Sequence, residues 1–240
     1  MYWFRKVKMK IAVVCCLHGT EPYGLEVVKR LPASLPFFIG NEKALKENKR
    51  FIDSDLNRSF PGKENGNHER KMAYNLVNKL NHFDYIIDLH SSSNNCPIFG
   101  IITKPNNQKI DFAKRLGLTK LVIMKESFAS GKALIYFVKC GISIEVGPHK
   151  REKNVKEALM LIYNLINKKT INECIEIFEV FDIIKKEADL ITIKNFEFVK
   201  KGEVIAKSEN KEQIALFDFI PVLVGEDAYK GILCLAARKL

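Results

Sequence analysis

The sequence is short of several features whose absence narrows what it can be. No apolar run approaches the ~18 residues that a membrane-spanning helix needs, so no span and no membrane partner are expected. The six cysteines, Cys15, Cys16, Cys96, Cys140, Cys174 and Cys234, include no C-x-x-C pair, which removes the common thiolate metal-site and dithiol redox signatures. The opening residues, Met-Tyr-Trp-Phe-Arg-Lys-Val-Lys, place charge before any apolar stretch develops. A secretory leader is therefore not expected, and the cysteines read as buried thiols in a reducing cytoplasm. There is also no dense basic block. The net charge is +11 and the pI about 9.3. Yet the lysines are scattered, and aromatics do not interleave with them as a base-stacking platform requires. Nucleic acid is thus not an expected partner, whereas a small anionic substrate drawn by a positive field is. No internal repeat or low-complexity segment stands out. Nothing in the pattern fixes whether the chain forms a homo-oligomer.

The 240 residues suit one domain with an appendage or two small domains. A chain of this mass buries roughly three quarters of its unfolded surface, so a sizeable core is available. Apolar residues at 47% and charged residues at 28% are ordinary for a globular protein. Apolar runs at 11–17, 37–40, 85–90, 98–103, 121–124 and 142–146 read as strands. Helical patterns at 24–31, 67–80, 108–116 and 153–168 lie between or after them, with a helical turn at 41–48. Residues 133–138 fit a helix or a strand equally. Near residue 170 the texture changes to short β-branched runs separated by turns (175–181, 190–193, 204–206, 214–217, 222–224). The expectation is an α/β domain over 1–170 and a small β-rich C-terminal domain over 171–240.

Three constellations carry chemistry. The first is His18, Glu21 and His90. Each histidine closes an apolar strand, and Glu21 sits three positions beyond His18 where the strand gives way to a turn. Two imidazoles and a carboxylate make a three-ligand zinc site with a fourth position open for water, which is the arrangement of catalytic sites. The C-terminal ends of strands are where open α/β sheets keep their sites. The second is Glu145, a lone carboxylate in the otherwise apolar strand Ile142, Ile144, Val146. Burial there raises a carboxyl pKa and suits a general base. A salt bridge to a nearby lysine is the competing reading. The third is the stretch 49–62, dense in charge and amides, with Arg50, Asp53, Asp55, Asn57 and Arg58 among aromatics. Arginine grips a carboxylate bidentately and stabilises an oxyanion. A surface ion-pair network among Arg50, Asp53, Asp55 and Arg58 fits the composition as well.

Taken in order, His-Gly-Thr-Glu (18–21), Arg-Phe-Ile-Asp-Ser-Asp-Leu-Asn-Arg-Ser-Phe (50–60), Asp-Leu-His-Ser (88–91) and Ile-Glu-Val-Gly-Pro (144–148) resemble the motifs of the aspartoacylase and succinylglutamate desuccinylase family. That family belongs with the zinc carboxypeptidase-like hydrolases. Pro-Val-Leu-Val-Gly-Glu-Asp-Ala-Tyr (221–229) is similar to its C-terminal motif, so the resemblance runs from about residue 9 to about residue 231. It implies a three-layer αβα domain with a mixed central sheet and one Zn2+ per subunit on His18, Glu21 and His90. It implies that Glu145 is the base and proton shuttle and that Arg50 polarises the scissile carbonyl. Asn57 and Arg58 would bind the substrate's α-carboxylate, Tyr229 would reach in from the C-terminal part, and Asp55 would fix the loop.

One position departs. Aspartoacylases place an arginine about ten residues before the catalytic glutamate, and here that position is Ile135, with Lys132 and Lys139 the nearest cations. The expected activity is zinc-dependent amide hydrolysis of a small anionic N-acyl amino acid. A zinc carboxypeptidase acting on short peptides is the alternative within the same chemistry. A non-catalytic metal- or anion-binding protein is the alternative outside it, and retention of Glu145 beside all three ligands argues against that last reading.

Overall fold

In the computed structural model, which describes residues 9–129, 131–149, 152–167 and 174–240, the chain builds one long mixed sheet. β1 (Ile11–Cys15), β2 (Phe37–Ile39), β3 (Tyr85–Ser91) and β6 (Gly141–Val146) run parallel side by side, in the order β6-β3-β1-β2. β4 (Phe99–Ile102) joins β6 antiparallel, and β5 (Lys120–Ile123) joins β4 parallel. β7 (Glu176–Lys185) lies parallel to β5, and β12 (Ile232–Lys239) and β11 (Ile220–Val222) close that edge antiparallel. A separate three-stranded sheet is made by β8 (Leu190–Ile191), β9 (Val204–Ser208) and β10 (Lys211–Ile214).

The period-two alternation of the strands sorts their side chains into two cores. Val13, Cys15, Ile87, Leu89, Ile142 and Ile144 face one side, where α1 (Tyr23–Val28), α4 (Asn107–Leu116) and α5 (Glu152–Ile166) cover them. Ala12, Val14 and Ile86 face the other, against Ala73, Leu76 and Leu80 of α3 (His68–Leu80). Helices on both faces make the expected three-layer αβα architecture; of the strands after residue 174, β8, β9 and β10 make a small separate sheet, while β7, β11 and β12 extend the long one. The boundary expected near residue 170, the end of the 153–168 helix and the leader reading of residues 1–8 fall outside the described residues.

Local differences from the sequence reading have physical causes. The apolar run 11–17 stops being a strand at Cys15, because Cys16 adopts a left-handed backbone (φ 55°) that turns the chain out of the sheet. Residues 133–138 form neither alternative but a single 3-10 turn at Leu134–Tyr136. The strand expected at 214–217 lies earlier, at Lys211–Ile214. β12, which the sequence reading leaves out, is eight residues long and pairs with both β7 and β11. α2 (Glu42–Lys46) sits where the helical turn is expected, capped by the Asn41 side chain accepting from Ala44 N.

Candidate metal centre and active site

The site gathers at the C-terminal ends of β1, β3 and β6, three adjacent parallel strands. After Cys16 the chain makes a tight turn, with Glu21 N donating to His18 O at 3.1 Å. Gly19 lets that turn press on α2, since a Cβ there would lie 2.2 Å from the Ala44 carbonyl carbon. Gly19 N also donates to Arg50 O, which ties the 49–62 loop to the turn. His90 comes from the end of β3 and stands in register with Glu145 on β6.

His18, Glu21 and His90 converge, with one ligand atom from each within 4.8 Å of the others, and all three are buried. Nδ1 of His18 is 2.7 Å from Oε1 of Glu21, and Nδ1 of His90 is 3.0 Å from Oε2. The far nitrogens are held by other carboxylates. Nε2 of His18 meets Oδ1 of Asp55 at 3.0 Å, and Nε2 of His90 meets Oδ2 of Asp88 at 2.9 Å. Each ring is thus held between two carboxylates, with its Nδ1 facing an oxygen of Glu21. The donor set, two imidazole nitrogens and a carboxylate oxygen with outer carboxylates behind them, fits a divalent ion.

The electrostatics point the same way. Burial works against charge on both imidazoles, yet Glu21 and Asp55 keep the His18 pKa above its ordinary value. Asp88 and Glu21 raise that of His90 much further. Burial also opposes ionisation of Glu21, but the two histidines hold its carboxyl well below the usual range. The centre is thus built to hold positive charge among carboxylates. Glu145 behaves oppositely. Burial, reinforced by Glu21, Glu226 and Asp88, pushes its pKa up to about 8 against the pull of His90.

The arginine loop is ordered by a residue that the sequence reading passed over. Glu69 of α3 is fully buried, and its carboxylate accepts Ile52 N at 2.7 Å, Asp53 N at 3.0 Å and Ser54 N at 3.1 Å, together with Asn41 Nδ2 at 2.9 Å. The signal was present: positions 69, 73, 76 and 80 form the buried stripe of the helix, and a glutamate on such a stripe needs partners. The loop presents Arg50, which donates to Asp55 Oδ2 through Nε at 3.3 Å and Nη2 at 3.1 Å and brings Nη1 to 3.5 Å from Glu21 Oε1. Asp55 also caps the following 3-10 turn by accepting Asn57 N at 2.8 Å. Asn57 Nδ2 lies 3.5 Å from His90 Nε2, and its Oδ1 accepts Leu134 N at 2.9 Å. Arg58 donates to Tyr229 Oη at 3.0 Å.

The nine residues given roles by the resemblance therefore lie in one network or beside it, with Glu145 joined through its register with His90. Besides Glu69, the sequence reading missed Asp88, fully buried two residues before His90, and Tyr23, whose hydroxyl donates to His90 O at 2.7 Å. It also missed Glu226, which binds the turn after β3. Ile135 packs in the core with Phe99, Ile101 and Val122. Lys132 is exposed and meets the loop through its backbone carbonyl, which accepts Phe60 N at 3.3 Å. Lys139 is exposed and sits 3.7 Å from Asp84.

Residues 8–166 match the family model of the succinylglutamate desuccinylase/aspartoacylase catalytic domain. The chain belongs to that family. Among curated relatives, a probable aspartoacylase of Acaryochloris marina is 31% identical over 162 residues, spanning 58% of this chain and 55% of the relative. An N-acyl-aromatic-L-amino acid amidohydrolase (carboxylate-forming) B of Danio rerio is 24% identical over 291 positions, covering 96% of this chain and 93% of the relative. The crystal structure of murine aminoacylase 3 shares the fold at a TM-score of 0.79 and 19% identity, over 97% of this chain and 95% of the other. This family member thus carries His18, Glu21 and His90 of its motifs in one buried, carboxylate-backed cluster. Among the described residues no helix is long and apolar enough to cross a membrane.

Proposed function

We propose that this chain is a zinc-dependent amidohydrolase that cleaves the amide bond of small anionic N-acyl amino acids to a carboxylate and a free amino acid. One observation carries the reading: a buried His18–Glu21–His90 cluster with Glu145, its pKa pushed up to about 8 by burial, in register beside His90. His18, Glu21 and His90 would hold one zinc ion, which when bound supplies Lewis acidity to the amide carbonyl and acidifies water. Glu145 takes a proton from the attacking water and returns it to the leaving nitrogen. A carboxyl of pKa about 8 suits both halves of that transfer. Arg50 stabilises the developing oxyanion, held for that task by Asp55. Asn57 and Arg58 bind the α-carboxylate, with Tyr229 completing the grip.

The relatives named as an aspartoacylase and as an amidohydrolase of N-acyl aromatic amino acids support deacylation as the reaction class. Ile135 is packed in the core where aspartoacylases place an arginine, so N-acetylaspartate is not expected to be the preferred substrate. The test is a panel of acetyl, succinyl and formyl amino acids against dipeptides, using protein loaded with zinc and assayed for stoichiometry. One bound zinc with turnover of N-acyl amino acids over dipeptides is expected. Preferential turnover of dipeptides would make the chain a carboxypeptidase, and absence of bound zinc would overturn the reading.

A further inference from the structure

The long sheet has two edges, and β2 is the one away from the C-terminal part. Its bonds to β1 follow the alternation of a parallel ladder. Val13 N donates to Pro36 O at 3.0 Å, and Gly40 N donates to Cys15 O at 2.8 Å. The even-numbered residues of this stretch therefore serve β1. The N–H and C=O groups of Phe37 and Ile39 point outward, where no strand pairs with them among the described residues. Phe37 is itself 46% exposed.

Beside this edge runs an open groove of about 660 Å³, walled by α2 and α3. Phe38, Met72 and Leu76 give it an apolar floor. Its rim is basic, with Lys43 and Lys46 from α2 and Lys79 from α3, all exposed. Of these three lysines only Lys46 forms an ion pair among the described residues, with Glu42 at 3.9 Å. Proteins often protect a sheet edge by placing charge on the strand itself. β2 reads Phe-Phe-Ile and carries none. The charges stand instead on the helices around the groove, where they select the occupant. A second copy of this chain, with its net charge of +11 and the same lysines at its own edge, would meet like charge there. An extended acidic chain would meet opposite charge at the rim, apolar surface at the floor and free main-chain groups along the strand.

We propose that the β2 edge and its groove are a docking site for an extended acidic segment of a partner protein. The segment adds a strand to the sheet through the main-chain groups of Phe37 and Ile39. Its apolar side chains pack on Met72 and Leu76, and its flanking carboxylates pair with Lys43, Lys46 and Lys79. None of the groove residues belongs to the His18–Glu21–His90 cluster, and the docking does not depend on which reaction the chain catalyses.

The probe is a fluorescent synthetic peptide, Glu-Glu-Val-Ile-Val-Glu-Glu, titrated with the full chain and followed by anisotropy. Its apolar centre matches the floor and its acidic flanks match the rim. Saturable binding with a Kd of about 100 μM or tighter is expected at low ionic strength, and added salt should weaken it. The double variant Lys43→Glu, Lys79→Glu should bind about tenfold more weakly. Both positions are exposed, so its Tm should match that of the unaltered protein. The same peptide N-methylated on its three central residues keeps its charge and side chains but cannot extend a sheet. It should also bind about tenfold more weakly. Hydrogen exchange at the amides of Phe37 and Ile39 should slow when the unmethylated peptide is bound. Equal binding of the N-methylated peptide would reduce the site to charge attraction and overturn the docking. Absence of saturable binding, or binding that the two lysine substitutions leave unchanged, would overturn it as well. A dimer of the free protein in sedimentation that Phe37→Asp dissolves would give the edge to a second copy and refute the acidic partner.

Discussion

Glu145 and Asp88 show how one carboxylate chemistry serves opposite ends. Glu145 has no ion-pair partner among the described residues, and burial pushes its pKa up to about 8. Replacing it by Gln keeps the shape and removes the proton acceptor. Turnover is expected to fall ~10²–10⁴-fold while zinc stoichiometry stays at one, measured by steady-state kinetics beside metal analysis. Full activity in Glu145→Gln would sink its role as base. Asp88 instead spends one oxygen on His90 Nε2 at 2.9 Å and on Ser143 Oγ at 3.1 Å. Its other oxygen is buried without a hydrogen-bond partner among the described residues, a cost tolerated beside a centre of positive charge. Asp88→Asn is expected to weaken metal affinity by about 10–100-fold, read by competition with a chelator. Equal affinity would show that the ring of His90 is fixed by other means.

At the scale of elements, the arginine loop depends on α3. Glu69 reaches from the helix's buried stripe to three consecutive amides, which a loop without regular structure must otherwise leave to water. Glu69→Ala should cost about 3 kcal/mol in chemical denaturation, since several buried donors lose their acceptor together. Glu69→Gln should cost less. A change below about 0.5 kcal/mol for the alanine variant would mean that the loop is held elsewhere. The elements that carry the site were legible because their signals are local. β3 and β6 read as apolar runs ending in a polar residue, and α3 and α5 as stripes at helical spacing. β12 was missed for the same reason. Ile-Leu-Cys-Leu-Ala-Ala-Arg-Lys shows no alternation, and it becomes a strand through pairing with β7 and β11. The end of β1 at Cys15 was likewise invisible, because a left-handed cysteine has no mark in composition.

For the molecule as a whole, the site sets a pH dependence of stability. In the metal-free chain His18 and His90 bind protons more tightly folded than unfolded. Their contribution is complete below the ordinary imidazole value and is lost as pH rises through the raised folded values. Glu145 acts in the same direction: with its pKa raised from 4.5 to about 8, the cost of ionising it in place grows across that interval and levels off above. Glu21, held low, loses its contribution only in acid, as pH falls through its depressed value. Metal-free protein should therefore lose thermal stability as pH rises from about 4.5 through about 8 on account of Glu145, with the two histidines adding to the loss above the ordinary imidazole value of about 6.5. The rise in Tm on adding zinc should grow over the same interval, because protons and metal compete for the two Nδ1 atoms. A zinc-induced shift that shrinks with rising pH would contradict ligation by these imidazoles.

The sequence by itself determined most strands of the sheet and their order along the chain, since hydrophobic periodicity is a property of neighbouring residues. It therefore carried His18 and His90, which close apolar runs, Glu21 in the turn after the first, and Glu145, a lone carboxylate within an apolar strand. The tertiary structure decided what holds those groups. Asp88 on His90, Glu69 under the arginine loop and Glu226 on the Ser92–Ser93 turn are ordinary acids in the sequence. They gain meaning only when the fold buries them, because burial is what obliges a carboxylate to find donors, and the donors come from 2, 17 and 133 residues away along the chain.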